Sequence, residues 1–329
     1  MNAQTSSWHN IELQDIAAKG MQTGRGESVL RSTAWHVCLT AKTIRLALLG
    51  AIVLFSIGGQ RLISATVNEP SRLADLPANS NQPTYDRTAD TMRKALMSKE
   101  EAAWESVLEQ NLGEYYLPRY KMEKLAGRET PWDFVADDPK LPRVLLIGDS
   151  ISCGYTLTLR HALAGRVNVH RAPANCGSTT MGLKHLPAWL GGGKWDVIHF
   201  NFGIWDRNTD RAIYASNLEQ IVTQLQRTGA KLIWARTTPP ASSRNAEGYS
   251  LLQCEEVNVV ADRIMRQNGI PMDDLCSLVQ PRLAELQLTN NVHFNAAGYS
   301  ALGRKVADTI QEAAGSSAVQ KSVTKVTVQ

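Results

Sequence analysis

From residue 141 onward the chain alternates short apolar runs with longer stretches whose apolar residues recur every three or four positions, and few folds accept that pattern. Runs at 144–147, 167–170, 195–201 and 231–235 have the length and the β-branched or aromatic content of buried strands, with a weaker one at 270–272. Between them lie helical stripes. Leu218, Ile221, Val222 and Leu225 form one that Gly229 closes, and Val257, Val260 and Ile264 form another before Gly269. Leu302, Val306 and Ile310 form the last. Apolar strands separated by helices predict a mainly parallel sheet covered on both faces, a three-layer α/β/α sandwich. In such sheets chemistry gathers just beyond the carboxyl ends of the strands, so polar residues at those points are the ones to weigh.

The first strand ends in "RVLLIGDSISCGYT", residues 143–156, where Gly148 breaks the apolar run and Ser150 stands at its end. Asp149 and Ser150 could simply cap the next helix. A catalytic serine needs a base within hydrogen-bond reach, because its hydroxyl is a poor nucleophile at neutral pH. Of seven histidines, His9 and His36 precede the main domain, His161 and His185 fall in helical patterns, and His170 and His199 fall in strands. His293 differs, standing in a polar loop, "LTNNVHFNAAGYSALG", that leads into the last helix. Donors for a developing oxyanion are available from Gly177 in "PANCGSTTMGL" and from Asn201 at the end of the third strand in "WDVIHFNFGIWD". The alternatives there are a turn glycine and a loop-capping asparagine.

Taken in order, "GDSIS", "NCGST", "FNFGIWD" and "VHFNAAGY" resemble the blocks of the SGNH, or GDSL-type, hydrolase superfamily, over roughly residues 141–314. The resemblance implies a flavodoxin-like three-layer fold and an acyl-ester hydrolase or related acyltransferase. Ser150 then resembles the nucleophile and His293 the base, with Ser150, Gly177 and an asparagine as the oxyanion hole. Two blocks depart from the family pattern. Its Gly-x-Asn-Asp reads Gly203, Ile204, Trp205, Asp206 here, so Asn201 is taken as the substitute donor. Its aspartate three residues before the histidine is Asn290, with Asn291 beside it. Either a Ser/His dyad is oriented by Asn290 or a backbone carbonyl, or another acid approaches in space, Asp206 and Asp274 being the candidates. The expected activity is a serine esterase acting on small acyl esters, acetyl esters of carbohydrate among them, through an acyl-enzyme. An O-acetyltransferase and a catalytically silent binding domain are the alternatives, and the loop from 239 to 249 is expected to line the pocket.

A formal net charge of +4, from 35 basic and 31 acidic residues, gives no basic face for nucleic acid. The five cysteines, at 38, 153, 176, 254 and 276, include no close CxxC pair, so neither a metal nor a cofactor is expected. The last four could form two disulfides in an exported domain, with a bridge between Cys153 and Cys176 joining the nucleophile and oxyanion loops, or could stay as buried thiols.

Ahead of the catalytic domain, residues 46–60 are free of charge and flanked by Arg45 and Arg61, short for a membrane span unless residues 62 and 63 and the snorkelling arginines extend it. The basic residues before it favour cytoplasmic retention of the amino side. The expected organisation is a cytoplasmic segment 1–43, a membrane anchor 44–65, a flexible linker 66–90, a helical extension 91–140, the hydrolase domain 141–314 exported beyond the membrane, and a disordered tail 315–329. Cleavage of an export signal at Ala65, or a buried helix in a soluble protein, are the other readings of 44–65.

Overall fold

Strand β1 (Arg143–Ile147) explains the sandwich in miniature: Val144 and Leu146 enter one hydrophobic core, Leu145 and Ile147 the other, as the two-residue period of a strand requires. The computed structural model describes residues 85–241 and 248–326, and side chains as far as residue 315. The segments expected at 1–43 and 44–65, and all but the end of the linker 66–90, lie outside them.

With β2 (Asn168–Arg171), β3 (Val197–Phe200), β4 (Lys231–Ala235) and β5 (Met272–Asp273), β1 builds a parallel sheet in the order β2-β1-β3-β4-β5. The chain winds outward from β1 in both directions, so the topological switch point lies between β1 and β3. The helices are α1 (Arg87–Ala95), α2 (Lys99–Asn111), α3 (Gly113–Leu125), α4 (Ser150–Ala162), α5 (Thr179–Leu190), α6 (Arg211–Gln226), α7 (Leu251–Gln267), α8 (Leu275–Val279), α9 (Leu283–Leu286) and α10 (Ala296–Val326). Helices α4 and α10 cover one face of the sheet, through Tyr155, Leu159, Leu302, Val306 and Ile310, and α5, α6 and α7 cover the other. The expected three-layer arrangement is present. The last strand lies two residues later than the apolar run 270–272 suggests, because Pro271 cannot donate to a ladder and pairing starts after it.

Contact between α4 and α10 is unusually close and is set by glycine. A Cβ on Gly154 would lie 2.0 Å from the Tyr299 ring, and one on Gly303 would lie 2.7 Å from Thr158 Cβ. This packing fixes the helix that follows His293 against the helix that begins at Ser150.

The extension at 91–140 departs from its expected bounds. Helix α1 starts at Arg87, inside the expected linker, because Asp86 caps it by accepting from the N–H groups of Thr88 and Ala89. Helical structure stops at Leu125, where Gly127 takes a φ of 69° and Pro131, Pro139 and Pro142 follow. Leu108, Leu112, Tyr120 and Trp132 form a small core there, against which Cys153 of α4 packs. Glu105 is buried beside Leu108, and Arg93 holds its carboxylate at 2.5 Å. The carboxyl end is a second correction: α10 continues through Val326, across most of the stretch expected as a disordered tail, since no proline interrupts its Ala, Ser, Gln and Lys residues. Among the described residues no helix is long and apolar enough to cross a membrane.

Candidate active site

Ser150 is the first residue of α4, one turn beyond β1 and at the switch point of the sheet. The turn is tight: a Cβ on Gly148 would lie 2.7 Å from Ser152 Oγ. Asp149 caps α4 by accepting from the Ile151 N–H at 3.0 Å. Beneath the turn, Arg171 from the end of β2 is 1% exposed and donates to Gly148 O at 2.7 Å, Asp149 O at 3.1 Å and Ser152 Oγ at 2.7 Å. A buried guanidinium thus fixes the backbone on both sides of the serine.

His293 approaches from 143 positions away. Its Nε2 lies 2.8 Å from Ser150 Oγ, and its Nδ1 lies 2.6 Å from Asn291 Oδ1. An amide oxygen can only accept, so Nδ1 carries the proton and Nε2 presents its lone pair to the serine hydroxyl, the tautomer a general base needs. The same Asn291 oxygen accepts from the His293 N–H at 2.9 Å, closing an Asx turn around the ring. Burial lowers the imidazole to about 4, with the Asp149 carboxylate opposing that shift through space. The resting histidine is therefore neutral at ordinary pH.

Asn290 does not orient the ring, which corrects the expectation drawn from the family spacing. It is exposed, with a φ of 56°, a left-handed turn position that asparagine tolerates, and the chain thereby delivers the next residue, Asn291, into the interior. Neither alternative acid serves. Asp206 is buried and accepts from Thr179 N at 2.8 Å and Thr179 Oγ1 at 2.7 Å, tying the loop after β3 to α5. Asp274 caps α8 and pairs with Arg236 at 3.0 Å. The carboxylate that raises His293 through space is Asp149, next to Ser150.

Among the described residues, the backbone N–H groups of Ser150 and Gly177 donate to no backbone acceptor. The Cys176 N–H donates to Gly148 O at 3.2 Å, which joins the two loops, and Gly177 holds a φ of 63° that few other residues would adopt. Asn201 is corrected: its Nδ2 donates to Ala235 O at 2.7 Å and to Thr237 Oγ1 at 3.1 Å, so both amide protons are engaged in stitching β3 to β4 and neither is left for substrate. Trp205, at the family's asparagine position, is 50% exposed and has no amide to offer. The expected Cys153–Cys176 bridge is absent. The Cys176 thiol is buried, with burial pushing it up to about 12, and Cys153 packs on the Leu108 and Trp132 core instead. Of the loop 239–249, Pro239 O accepts from Gln287 Nε2 at 3.0 Å, and residues 242–247 lie outside the described residues.

Two residues of this arrangement escape a reading by motif. Arg171 ends an apolar strand and carries no signal except its own charge at a buried position. Asn291 is signalled by the Asn-Asn pair before the histidine, one of which had to turn away.

The model of the GDSL-like lipase/acylhydrolase family matches residues 146–301. Among solved structures the chain is similar to a lipase/acylhydrolase from Enterococcus faecalis, with 24% identity over 52% of this chain and 96% of that one and a TM-score of 0.48. It is also similar to an acetylxylan esterase from Geobacillus stearothermophilus, with 16% identity over 50% and 92% of the two chains and a TM-score of 0.43. No curated protein matches.

Proposed function

The chain belongs to the SGNH, or GDSL-type, superfamily of ester hydrolases, and we propose that it cleaves short acyl esters carried on carbohydrate, by a Ser150/His293 mechanism oriented by an asparagine. The single observation behind the mechanism is the 2.8 Å approach of His293 Nε2 to Ser150 Oγ, with the opposite ring nitrogen held by Asn291. His293 takes the hydroxyl proton as Ser150 Oγ attacks the ester carbonyl. The Ser150 and Gly177 N–H groups receive the oxyanion, at the positive end of α4. The imidazolium returns its proton to the leaving alcohol, and a water activated by the neutral ring then releases the acid. The partial charge of Asn291 Oδ1 and the field of the Asp149 carboxylate stabilise the imidazolium.

Two exposed side chains support the substrate class. Met181 Sδ stands 2.7 Å from where a Cβ of Gly177 would be, so its thioether crowds the oxyanion side and suits a short acyl group. Trp205, between the buried Ile204 and Asp206, presents half its surface to solvent, and Asp206 is bonded to Thr179, two residues after Gly177. An indole there offers a flat apolar face to a sugar ring. The anchor is the third element of the reading: we propose that residues 44–65 hold the enzyme at a membrane with the catalytic domain outside the cytoplasm.

Hydrolysis of p-nitrophenyl acetate by the full chain, with Ser150→Ala and His293→Ala as controls, tests the mechanism. Equal rates in all three proteins end it. Trp205→Ala should raise KM for an acetylated xyloside several-fold and leave kcat/KM for ethyl acetate within about twofold, since one stacking contact contributes on the order of 1 kcal/mol. Product analysis with an added sugar acceptor separates hydrolysis from acyl transfer, and alkaline extraction of membranes tests the anchor.

A further inference from the structure

Two cysteines outside the reacting groups meet across a pair of helices. Cys254, on the first turn of α7, is 1% exposed, and Cys276, on α8, is 9% exposed. Both line one cavity, together with Arg236 and Asn258. Both thiols are free in the structure, and each acts on the other, lowering Cys276 and raising Cys254. The Arg236 guanidinium pulls both thiols downward, and it is itself held by Asp262 at 3.1 Å and Asp274 at 3.0 Å. Cys254 Sγ also donates to Thr237 O at 3.4 Å and accepts from Asn258 Nδ2 at 3.5 Å. Cys254 thus touches Thr237, two residues past the end of β4, which also receives the Asn201 amide.

We propose that Cys254 and Cys276 form a disulfide that clamps α7 to α8. The geometry assigns an order to the two thiols. Cys276 is the more exposed and has the lower thiol, so its thiolate attacks a disulfide-bearing oxidant, such as oxidised glutathione, and displaces one thiolate from it. Cys254 then gives up its proton and attacks Cys276 Sγ in the mixed disulfide, displacing the second thiolate. One disulfide forms in the protein, one is reduced to two thiols in the oxidant, and the electrons balance. Closing the bond removes the Cys254 donor to Thr237 O, but the Asn258 side chain still holds both backbone groups of Thr237, donating to its O at 2.9 Å and accepting from its N at 3.0 Å. Neither sulfur touches the reacting atoms, so this clamp and the esterase reading fail or stand separately.

The test uses the full chain, reduced and then equilibrated with oxidised glutathione, blocked with N-ethylmaleimide under denaturing conditions and mapped without reduction. The expected result is one cross-linked peptide pair containing residues 254 and 276, lighter than the reduced pair by two hydrogens. The melting temperature should be higher in the oxidised protein by roughly 6 to 12 °C, the effect of closing a short loop in a domain of this size. That difference should vanish in Cys254→Ser and in Cys276→Ser. Maleimide on both cysteines after oxidation, or either of them joined to Cys38, Cys153 or Cys176, overturns the proposal, and the wild-type map decides this even if a variant does not fold.

Discussion

Replacing Asn291 by aspartate would put a carboxylate against the His293 ring, at an oxygen already 2.6 Å from Nδ1. In the native protein burial lowers the ring to about 4, so the acid limb of kcat/KM should fall near that value and well below the ordinary histidine range near 6.5. An adjacent carboxylate raises a pKa by about 1 to 3 units. In Asn291→Asp the acid limb should therefore move up to between about 5 and 7. Each unit is about 1.4 kcal/mol of added preference for imidazolium, which sets a ceiling of roughly tenfold per unit on the gain in kcat/KM on the alkaline plateau, because proton transfer is only partly complete in the transition state. Asn291→Ala removes the acceptor and leaves the ring free to rotate or to change tautomer, with an expected loss on the order of 100-fold or more. The assay is kcat/KM for p-nitrophenyl acetate from pH 3.5 to 9, with circular dichroism at each pH to keep unfolding apart from titration. Coincident acid limbs in wild type and Asn291→Asp would refute the placement of residue 291 against Nδ1, and a wild-type limb near 6.5 would refute the buried neutral ring.

Three further outcomes follow from the same geometry. Because the folded-state pKa of His293 is depressed, the unfolded chain binds the extra proton first, so its contribution is fully present above about 6.5 and is lost as pH falls toward 4. Urea titrations at pH 7 and pH 4 should show about 3 kcal/mol less of that pH-dependent loss in His293→Ala than in wild type. Arg171→Met strips three buried acceptors of their donor and should destabilise the domain by more than about 3 kcal/mol, with kcat falling ahead of the melting transition because Ser150 loses its fixed backbone. Gly154→Ala places a methyl 2.0 Å from the Tyr299 ring, and α10 must move away from α4; thermal melts should fall by several degrees, and p-nitrophenyl acetate turnover should drop with the lost Ser150–His293 register.

The sandwich was legible because buried parallel strands must be apolar throughout, and four of five runs announced themselves that way. The fifth was displaced by a proline, a local rule that overrides composition at an edge strand. The placement of Ser150, Gly177 and His293 was legible because strand ends and pre-helix loops are where a parallel sheet exposes polar groups. Asn201 misled for the same reason, since a strand-end amide can equally be used by the neighbouring strand, and the sequence says nothing of which acceptors lie within 3 Å. The offset between Asn290 and Asn291 is a backbone effect. A left-handed residue shifts which side chain faces inward by one position, and asparagine suits both places. Arg171 was hidden because burial of a cation depends on three acceptors contributed by a turn that lies 22 to 23 residues away for the carbonyls.

On the proposed mechanism, an asparagine at this position is compatible with catalysis because the site would divide two tasks that one aspartate ordinarily combines. Orientation needs only an acceptor on Nδ1, and a neutral amide oxygen provides it. Charge stabilisation is needed only while the imidazolium exists, and here it comes from farther away, through the Asp149 carboxylate at the cap of α4. A buried aspartate beside the ring would itself have to be desolvated and satisfied by further donors. The exchange has a direction: a weaker base that remains deprotonated into acid, against a stronger base that titrates near neutrality. Asp149→Asn should therefore lower the histidine's pKa further and reduce kcat/KM on the alkaline plateau, while Asn291 keeps the ring in register. A plateau unchanged by that substitution would place the stabilisation of the imidazolium elsewhere in the site.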